Sequence, residues 1–165
     1  MGYFKFYHVK EEYIEYLHRV DYRVQHNKGQ MRPYVGIVLE INGYKYYVPL
    51  ESPKPGHAKI KGGGPVLKLE DGALGIMGFN NMLPVKPREL IEFDIAQVQD
   101  REYQMLLLKQ LHYCTKNKNV ILVRAANTYK KATDGNTPFY EKVCCDFKKL
   151  EAACKRYNPN WKPKK

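Results

Sequence analysis

The amino-acid sequence predicts one α+β domain built around an antiparallel sheet. Apart from one early helix, the short β-branched and aromatic runs stand before residue 96 and the long helical patterns stand after residue 99, without regular βαβ alternation. The chain has 165 residues, enough for one sizeable core, and shows neither an internal repeat nor a linker. We therefore expect residues 1–165 to form a single domain, with a basic tail at residues 158–165 that is frayed or touches nucleic acid.

The strongest local signal is Asn42-Gly43 between two β-forming runs, which predicts a hairpin with a type I′ turn. A two-residue loop sets the register across the hairpin. Eight apolar or aromatic side chains then share one face, in the pairs Ile41 with Tyr44, Leu39 with Tyr46, Ile37 with Val48 and Val35 with Leu50. We expect this face to be the core side, which leaves Tyr47 pointing outward.

The remaining elements are predicted from hydrophobic periodicity and turn residues. Strands are expected at residues 3–8, 66–69, 74–79 and 90–95, and helices at residues 10–20, 100–116, 119–131 and 146–157. Residues 120–123 also fit a strand by local pattern, and the turn residues at 134–136 together with Pro138 indicate a loop. A polar loop at residues 21–30 leads into the hairpin.

Prolines limit the hairpin ladder, because Pro33, Pro49, Pro53 and Pro55 each lack a backbone N–H. The open end of the hairpin, which we call the mouth, gathers a polar and basic set: Arg32, Tyr34, Glu51, Ser52, Lys54, His57, Lys59 and Lys61. The preceding loop places Arg23, His26 and Lys28 close to it. One interpretation is a solvated strand end. The other is an anion site, with Arg32 as a fork for phosphate oxygens, Lys54 as a point charge and Ser52 as a donor.

Charge favours a polyanionic partner. Lys and Arg number 28 against 17 Asp and Glu, a net charge of +11, and 14 tyrosines are partly interleaved with the lysines. This composition fits nucleic acid, on which bases stack against aromatic rings while cations hold phosphates. An anionic membrane is a weaker candidate, because no long apolar run and no basic amphipathic helix is visible. No signal peptide is visible either, and we expect a cytoplasmic protein.

Neither a metal site nor a cofactor is predicted. Cys114, Cys144, Cys145 and Cys154 contain no CxxC pair, and the five histidines show no HExxH spacing. We expect the thiols to be reduced and buried. The glycines at residues 62–64 lack the Lys and Ser/Thr of a phosphate-binding loop.

The segment RPYVGIVLEINGYKYYVPLESPK resembles the ToxN/AbiQ family, the endoribonuclease toxins of type III toxin–antitoxin systems, whose antitoxin is an RNA. Three further segments agree with the family in the same order: FKFYHVKEEYIEYL, GFNNMLPVKP and TPFYEKVCCDFKKLEAACKRY. The resemblance covers most of the chain. It implies a compact, strongly twisted antiparallel sheet flanked by helices, similar to MazF/Kid-type toxins.

The resemblance also implies an activity and a partner. The expected activity is metal-independent, sequence-preferring RNA cleavage, in which the 2′-hydroxyl attacks the neighbouring phosphorus and leaves a 2′,3′-cyclic phosphate and a 5′-hydroxyl. The expected partner is a small structured RNA, excised from a repeated precursor, that alternates with the toxin in a closed assembly without a direct protein homodimer. Phage defence and plasmid maintenance are both compatible uses.

Carried over residue by residue, the family's catalytic serine and lysine fall on Ser52 and Lys54, and its basic residue before the hairpin falls on Arg32. Lys54 is either a base, favoured by like charges nearby, or a cation that stabilises the phosphorane. Glu51 stands where many members have threonine; it pairs with Arg32 or Lys54, acts as the base, or is an outward strand residue.

A second departure from the family is Lys28, which stands where some members have a tyrosine. Tyr34, Tyr47, His26 or His57 is therefore expected to replace that side chain, and His57 is the candidate general acid. Further RNA contacts are expected from Lys59, Lys61, Arg23 and Lys28. The two departures also leave room for a non-catalytic RNA-binding module, and a DNA-binding regulator is a third class.

Overall fold

A computed structural model describes residues 3–27 and 29–164. The strands are β1 (Lys5–Val9), β2 (Tyr34–Ile41), β3 (Tyr44–Glu51), β4 (Val66–Lys68), β5 (Ile76–Gly78), β6 (Leu83–Pro84) and β7 (Leu90–Glu92). The helices are α1 (Glu11–Val20), α2 (Arg101–Lys116), α3 (Lys118–Thr133), α4 (Pro138–Val143) and α5 (Phe147–Arg156), and short 3₁₀ turns join the later strands. The α+β class is therefore confirmed, although β6 and α4 were not predicted.

The strands form one sheet in the order β4-β5-β3-β2-β1-β7, and β6 also pairs with β3. Every pairing is antiparallel. Helix α3 packs on β2, while α5 packs on β6 and α1. No helix in residues 3–27 or 29–164 is long and apolar enough to cross a bilayer.

The hairpin turn is confirmed, but half of its predicted register is wrong. Ile41 pairs with Tyr44 and Leu39 with Tyr46, as expected, whereas β2 then bulges and Val35 pairs with Val48 instead of Leu50. The bulge places Ile37 outward with 39% of its surface exposed, so it does not share the core face.

The bulge turns the ring of Tyr47 inward. Tyr47 pairs with Gly36 and is only 3% exposed, which overturns the expectation that it points outward. A Cβ atom on Gly36 would lie 2.1 Å from the Tyr47 ring, so only glycine leaves room for it. The ring also packs edge-on against Tyr7, with centroids 5.4 Å apart. This β2–β3 segment is consequently fixed by a close ring-to-backbone contact.

A buried carboxylate links the hairpin to the helical layer. Glu151 on α5 accepts hydrogen bonds from the Tyr46 hydroxyl at 2.6 Å and the Tyr129 hydroxyl at 2.8 Å. The ring of Tyr129 stacks on Phe147 with centroids 5.7 Å apart. Because an unpaired buried carboxylate is costly, the two phenols fix the positions of α3 and α5 on β3.

Arg23 makes several contacts within the fold. Its guanidinium binds both oxygens of Asp21, through Nε at 2.9 Å and Nη2 at 3.0 Å, and Nη1 donates to the Glu141 carbonyl at 2.9 Å. Asp21 also accepts the N–H of Asp146 at 2.7 Å. Burial alone would raise the pKa of Asp21, but these hydrogen bonds bring it below its usual value. Arg23 therefore clamps α4 and the start of α5, and its contact with RNA stays a prediction.

The tail is partly docked, contrary to the expectation of fraying. Trp161 packs edge-on against Tyr16 of α1 at 5.3 Å between ring centroids, and Arg19 lies 5.7 Å from the same ring. The backbone N–H of Trp161 donates to the Asn158 carbonyl. These contacts hold the chain beyond α5 against α1.

We expect Arg23→Ala to lower the free energy of unfolding by about 2 kcal/mol, because it strips the buried Asp21 carboxylate of charged hydrogen bonds. Urea denaturation followed by circular dichroism measures this change. Arg156→Ala is the matched control, since this exposed arginine at the end of α5 has no ion-pair or hydrogen-bond partner among residues 3–27 and 29–164. Equal stability of the Arg23 and Arg156 variants would refute the clamp.

The four cysteines are buried and unpaired, and burial raises the pKa of the Cys114 and Cys144 thiols to about 12. We expect the native protein to resist iodoacetamide at pH 8.5 and to react in urea, where the thiols ionise normally. The pKa of these thiols is higher in the folded than in the unfolded protein, so their contribution to stability is fully present below the unfolded pKa. The free energy of unfolding should therefore fall as the pH rises from about 9 towards 12.

Mass spectrometry counts the labelled thiols. Thr115→Cys, an exposed position beside Cys114 on α2, supplies the positive control and should be alkylated in the native state. Native alkylation of the four natural cysteines at the rate of this control would contradict their burial.

Candidate functional site

The structure brings half of the predicted mouth residues together at the open end of the hairpin. Beyond the last ladder pair, the Leu50 N–H donates to the Pro33 carbonyl at 3.0 Å, which holds the two chain segments side by side. A small cavity of about 130 Å³ opens there, lined by Met31, Arg32, Pro33, Leu50, Glu51, Ser52, Lys54 and Tyr103. Four of the eight mouth residues predicted from the sequence line this cavity: Arg32, Glu51, Ser52 and Lys54.

Glu51 is held between two buried partners. Its Oε1 lies 3.7 Å from Arg32 Nη1 and its Oε2 lies 3.2 Å from His57 Nε2. Arg32 is 7% exposed and His57 is 5% exposed, so the interaction is shielded from solvent. The alternative of an outward strand carboxylate is thereby excluded, because both Glu51 oxygens are paired with buried side chains.

His57 is positioned by both ring nitrogens. Nδ1 accepts the backbone N–H of Lys54 at 3.2 Å, and a nitrogen that accepts carries no proton. The ring proton therefore lies on Nε2 and points to Glu51. This arrangement does not favour the expected general acid, because His57 does not line the cavity and its proton is engaged by the Glu51 carboxylate. His57 instead fixes the backbone at Lys54.

The side chains of Ser52 and Lys54 differ from those of Arg32, Glu51 and His57, which contact one another through Glu51. Both are exposed, and neither side chain has a hydrogen-bond or ion-pair partner in the part of the chain that the structure describes. Their backbone is nevertheless well supported, since Glu51 pairs with Ile76 of β5 and the neighbouring Gly75, at φ +100°, lies against it. A Cβ atom on Gly75 would come within 1.9 Å of the Glu51 carbonyl oxygen. The side chains of Ser52 and Lys54 are thus available to a ligand, while the sheet holds their backbone in place.

Several predicted RNA-contact residues lie elsewhere. Tyr34 is 1% exposed and belongs to the core, as does Tyr47, whose pKa burial raises to about 12; neither offers a ring face for stacking. Lys59 is exposed but does not line the cavity. Lys61 lines a separate cleft of about 620 Å³ beside Phe139 and Tyr140.

The loop before β2 gives a mixed result. The His26 ring is exposed and packs beside His18, with centroids 4.1 Å apart, while its carbonyl accepts from Arg32 Nε at 3.4 Å. His26 therefore supports Arg32 through its backbone. The predicted contact of Lys28 lies outside the described residues.

Sequence reasoning missed Tyr103 as a cavity residue. It belongs to the first turn of α2, far along the chain from Ser52. No local motif marks it, because its place in the cavity depends on how α2 packs.

The cavity suits a phosphate group. It combines a buried guanidinium, an exposed ammonium and a hydroxyl, and its one carboxylate is already bound by Arg32 and His57. Among residues 3–27 and 29–164, no three His, Cys, Asp or Glu side chains cluster closely enough to hold a metal ion. The geometry therefore defines a small basic α+β protein with a candidate anion site at the open end of the β2–β3 hairpin.

Comparison with known proteins identifies the family. The family model described as "Toxin ToxN, type III toxin-antitoxin system" matches residues 5–155, and the chain belongs to this family. The endoribonuclease ToxN of Bacillus thuringiensis subsp. kurstaki is 35% identical over 162 residues, which cover 93% of this chain and 84% of that protein.

Two solved structures share the fold. One belongs to a study of selective toxin inhibition by a non-coding RNA pseudoknot in bacterial type III systems; it is 33% identical, has a TM-score of 0.82, and the match covers 96% of this chain and 100% of the other. The second is AbiQ, a lactococcal anti-phage endoribonuclease of a type III system, at 30% identity and a TM-score of 0.83, covering 93% and 97%.

We expect nitrogen-15 NMR at pH 7 to show His57 as the Nε2–H tautomer, because Nδ1 is occupied by the Lys54 N–H. Two-bond nitrogen–proton correlation spectra distinguish the tautomers. His112, exposed on α2, is the internal control and should give averaged signals. In Glu51→Ala the Nε2–H loses its acceptor, and the preference should weaken; a protonated Nδ1 in the unsubstituted protein would contradict the geometry.

Proposed function

We propose that this protein is a metal-independent, sequence-preferring endoribonuclease toxin of a type III toxin–antitoxin system. The observation that supports it best is the convergence of Arg32, Ser52 and Lys54 on one phosphate-sized cavity in a chain of this family. The ToxN and AbiQ relatives are both endoribonucleases. Metal independence follows from the donor set, since two cations and a committed carboxylate do not favour a divalent ion.

The proposed reaction uses the 2′-hydroxyl of the RNA as nucleophile. Arg32 is preorganised by Glu51, so its guanidinium stabilises the charge that develops on the phosphorane oxygens without reorganising. Ser52 donates a hydrogen bond to one of these oxygens and helps to align the phosphorus. The products are a 2′,3′-cyclic phosphate and a 5′-hydroxyl.

Lys54 is the proposed general base. Among the described residues that line the cavity, Glu51 uses both oxygens for partners and Arg32 does not lose its proton, whereas Lys54 is free of a partner. The neutral fraction of its amine accepts the 2′-proton. Glu51 and His57 are positioning residues, because they hold Arg32 and the Lys54 backbone.

The proposed regulator is a small structured RNA. A pseudoknot RNA inhibits the toxin of one structural neighbour, and the net charge of +11 on this chain suits the same class of ligand. We propose a closed assembly in which the RNA alternates with the protein, without direct contact between protein copies. Cytoplasmic location, phage defence and the likeness of the sheet to MazF/Kid toxins belong to the same proposal.

Incubation of the purified protein with total RNA in EDTA tests the reaction. We expect cleavage with cyclic-phosphate ends, and a loss of about 10²–10⁴-fold in Ser52→Ala and Lys54→Ala, as for other positioned donors and bases. Lys54→Arg should also be inactive, since arginine keeps the charge but does not serve as a base. Lys149→Ala, an exposed lysine on α5, is the control that should retain full activity.

A substrate with a single 2′-deoxynucleotide at the mapped cut site should stay intact at that site. If it is still broken, the proposed chemistry is wrong. If all RNA stays intact while binding tightly, the protein is a non-catalytic RNA-binding module instead. Activity in Lys54→Arg would reassign Lys54 to electrostatic stabilisation.

A further inference from the structure

The proposed reaction lacks a proton donor for the leaving 5′-oxygen. An alkoxide leaves poorly unless it is protonated as the P–O5′ bond breaks. His57, the expected donor, is buried and directs its proton to Glu51. Ser52 and Arg32 are assigned to the phosphorane oxygens, and Lys54 to the 2′-proton. Our inference about this proton donor rests on the proposed function.

Among the residues that the structure describes, Tyr103 is the one that the helical layer contributes to the cavity. It lines the same cavity of about 130 Å³ as Ser52 and Lys54, while the other lining residues come from residues 31–33 and 50–54. The 2′- and 5′-oxygens must lie on opposite sides of the phosphorus for in-line displacement. Lys54 lies on the segment that follows the hairpin and Tyr103 on α2, so a base and an acid can approach the phosphorus from two different elements.

The position of Tyr103 is fixed by the start of α2. Its backbone N–H donates to the Asp100 carboxylate at 3.1 Å, which caps the helix. The next residue, Gln104, donates through Nε2 to the Ile95 carbonyl at 3.1 Å and ties the same turn to the preceding segment. The ring packs partly against the core. The phenol is thus held on a rigid element.

The hydroxyl of Tyr103 is available for a ligand. Within residues 3–27 and 29–164 it has no hydrogen-bond partner, although the ring is half-buried. A phenol in this state gains a partner when an oxygen of the substrate enters the cavity. Burial raises the pKa of Tyr103, so the group carries its proton throughout the neutral range.

We propose that Tyr103 is the general acid of the cleavage reaction. As the 2′-oxygen bonds to phosphorus and gives its proton to Lys54, the P–O5′ bond breaks and the 5′-oxygen takes the Tyr103 phenolic proton. The tyrosinate and the lysine ammonium then exchange the proton with solvent, which restores both groups and balances the step.

A leaving-group experiment tests this assignment. The substrate is an RNA with a normal linkage at the mapped cut site, compared with one whose bridging 5′-oxygen is replaced by sulfur, a leaving group that needs no acid. Tyr103→Phe should slow cleavage of the normal RNA by about 10²–10⁴-fold and cut the sulfur-containing RNA at nearly the unsubstituted rate. Tyr113→Phe, on the same helix but outside the cavity, should cut both normally.

Two outcomes would overturn the assignment. Full activity of Tyr103→Phe on normal RNA shows that the phenol is not used, and an equal loss on both substrates shows that it only positions the phosphate or the fold. Failure of the unsubstituted protein to cut any RNA overturns the proposed function itself and is recognised separately. The unsubstituted protein must therefore be measured first on the normal linkage.

A second measurement does not depend on the stability of the Phe variant. Replacement of Tyr103 by 3,5-difluorotyrosine keeps the hydroxyl but lowers its pKa, because fluorine withdraws electrons from the ring. The alkaline limb of the pH–rate profile should then move to lower pH, because the acid loses its proton earlier. An unchanged alkaline limb in an active protein would also overturn the assignment. The same replacement at Tyr113 is the control.

Discussion

The site depends on one ion-pair arrangement, the Glu51 carboxylate between Arg32 and His57. A lone carboxylate or guanidinium at this depth would carry a large desolvation cost, and the pairing offsets it. Each oxygen of Glu51 has its own partner, so rotation of the carboxylate would break at least one interaction. The direction of the Arg32 guanidinium is therefore set before any ligand arrives, which is the condition for electrostatic preorganisation.

The same arrangement explains how a carboxylate can line a cavity that is proposed to bind an anion. Both oxygens of Glu51 are paired, with Arg32 and His57, so the cavity keeps a cationic character from Arg32 and Lys54. His57 also accepts the backbone N–H of Lys54 and so links residue 51 to the Lys54 backbone. A glutamate at residue 51 is thereby compatible with the proposed anion site.

Close contacts with two glycines hold both sides of the hairpin in place. Tyr47 lies over Gly36 on one side, and Gly75 lies against the carbonyl of Glu51 on the other. Glu151, bound by two phenols, secures the helical layer to the same strand. Helix α2, which places Tyr103 at the edge of the cavity, is held by other contacts, since the Gln104 and Gln110 side chains donate to the carbonyls of Ile95 and Leu74.

The sequence by itself determined the α+β class, the Asn-Gly turn and the longer helices, because these follow from hydrophobic periodicity and turn chemistry. It also determined that Arg32, Glu51, Ser52 and Lys54 lie close together, because a short loop closes the hairpin between them. The tertiary structure alone decided the bulge at Ile37, the burial of Tyr47, the clamp of Arg23 and the approach of Tyr103. Each of these depends on which surfaces pack together across long separations in the chain, and no local pattern encodes that packing.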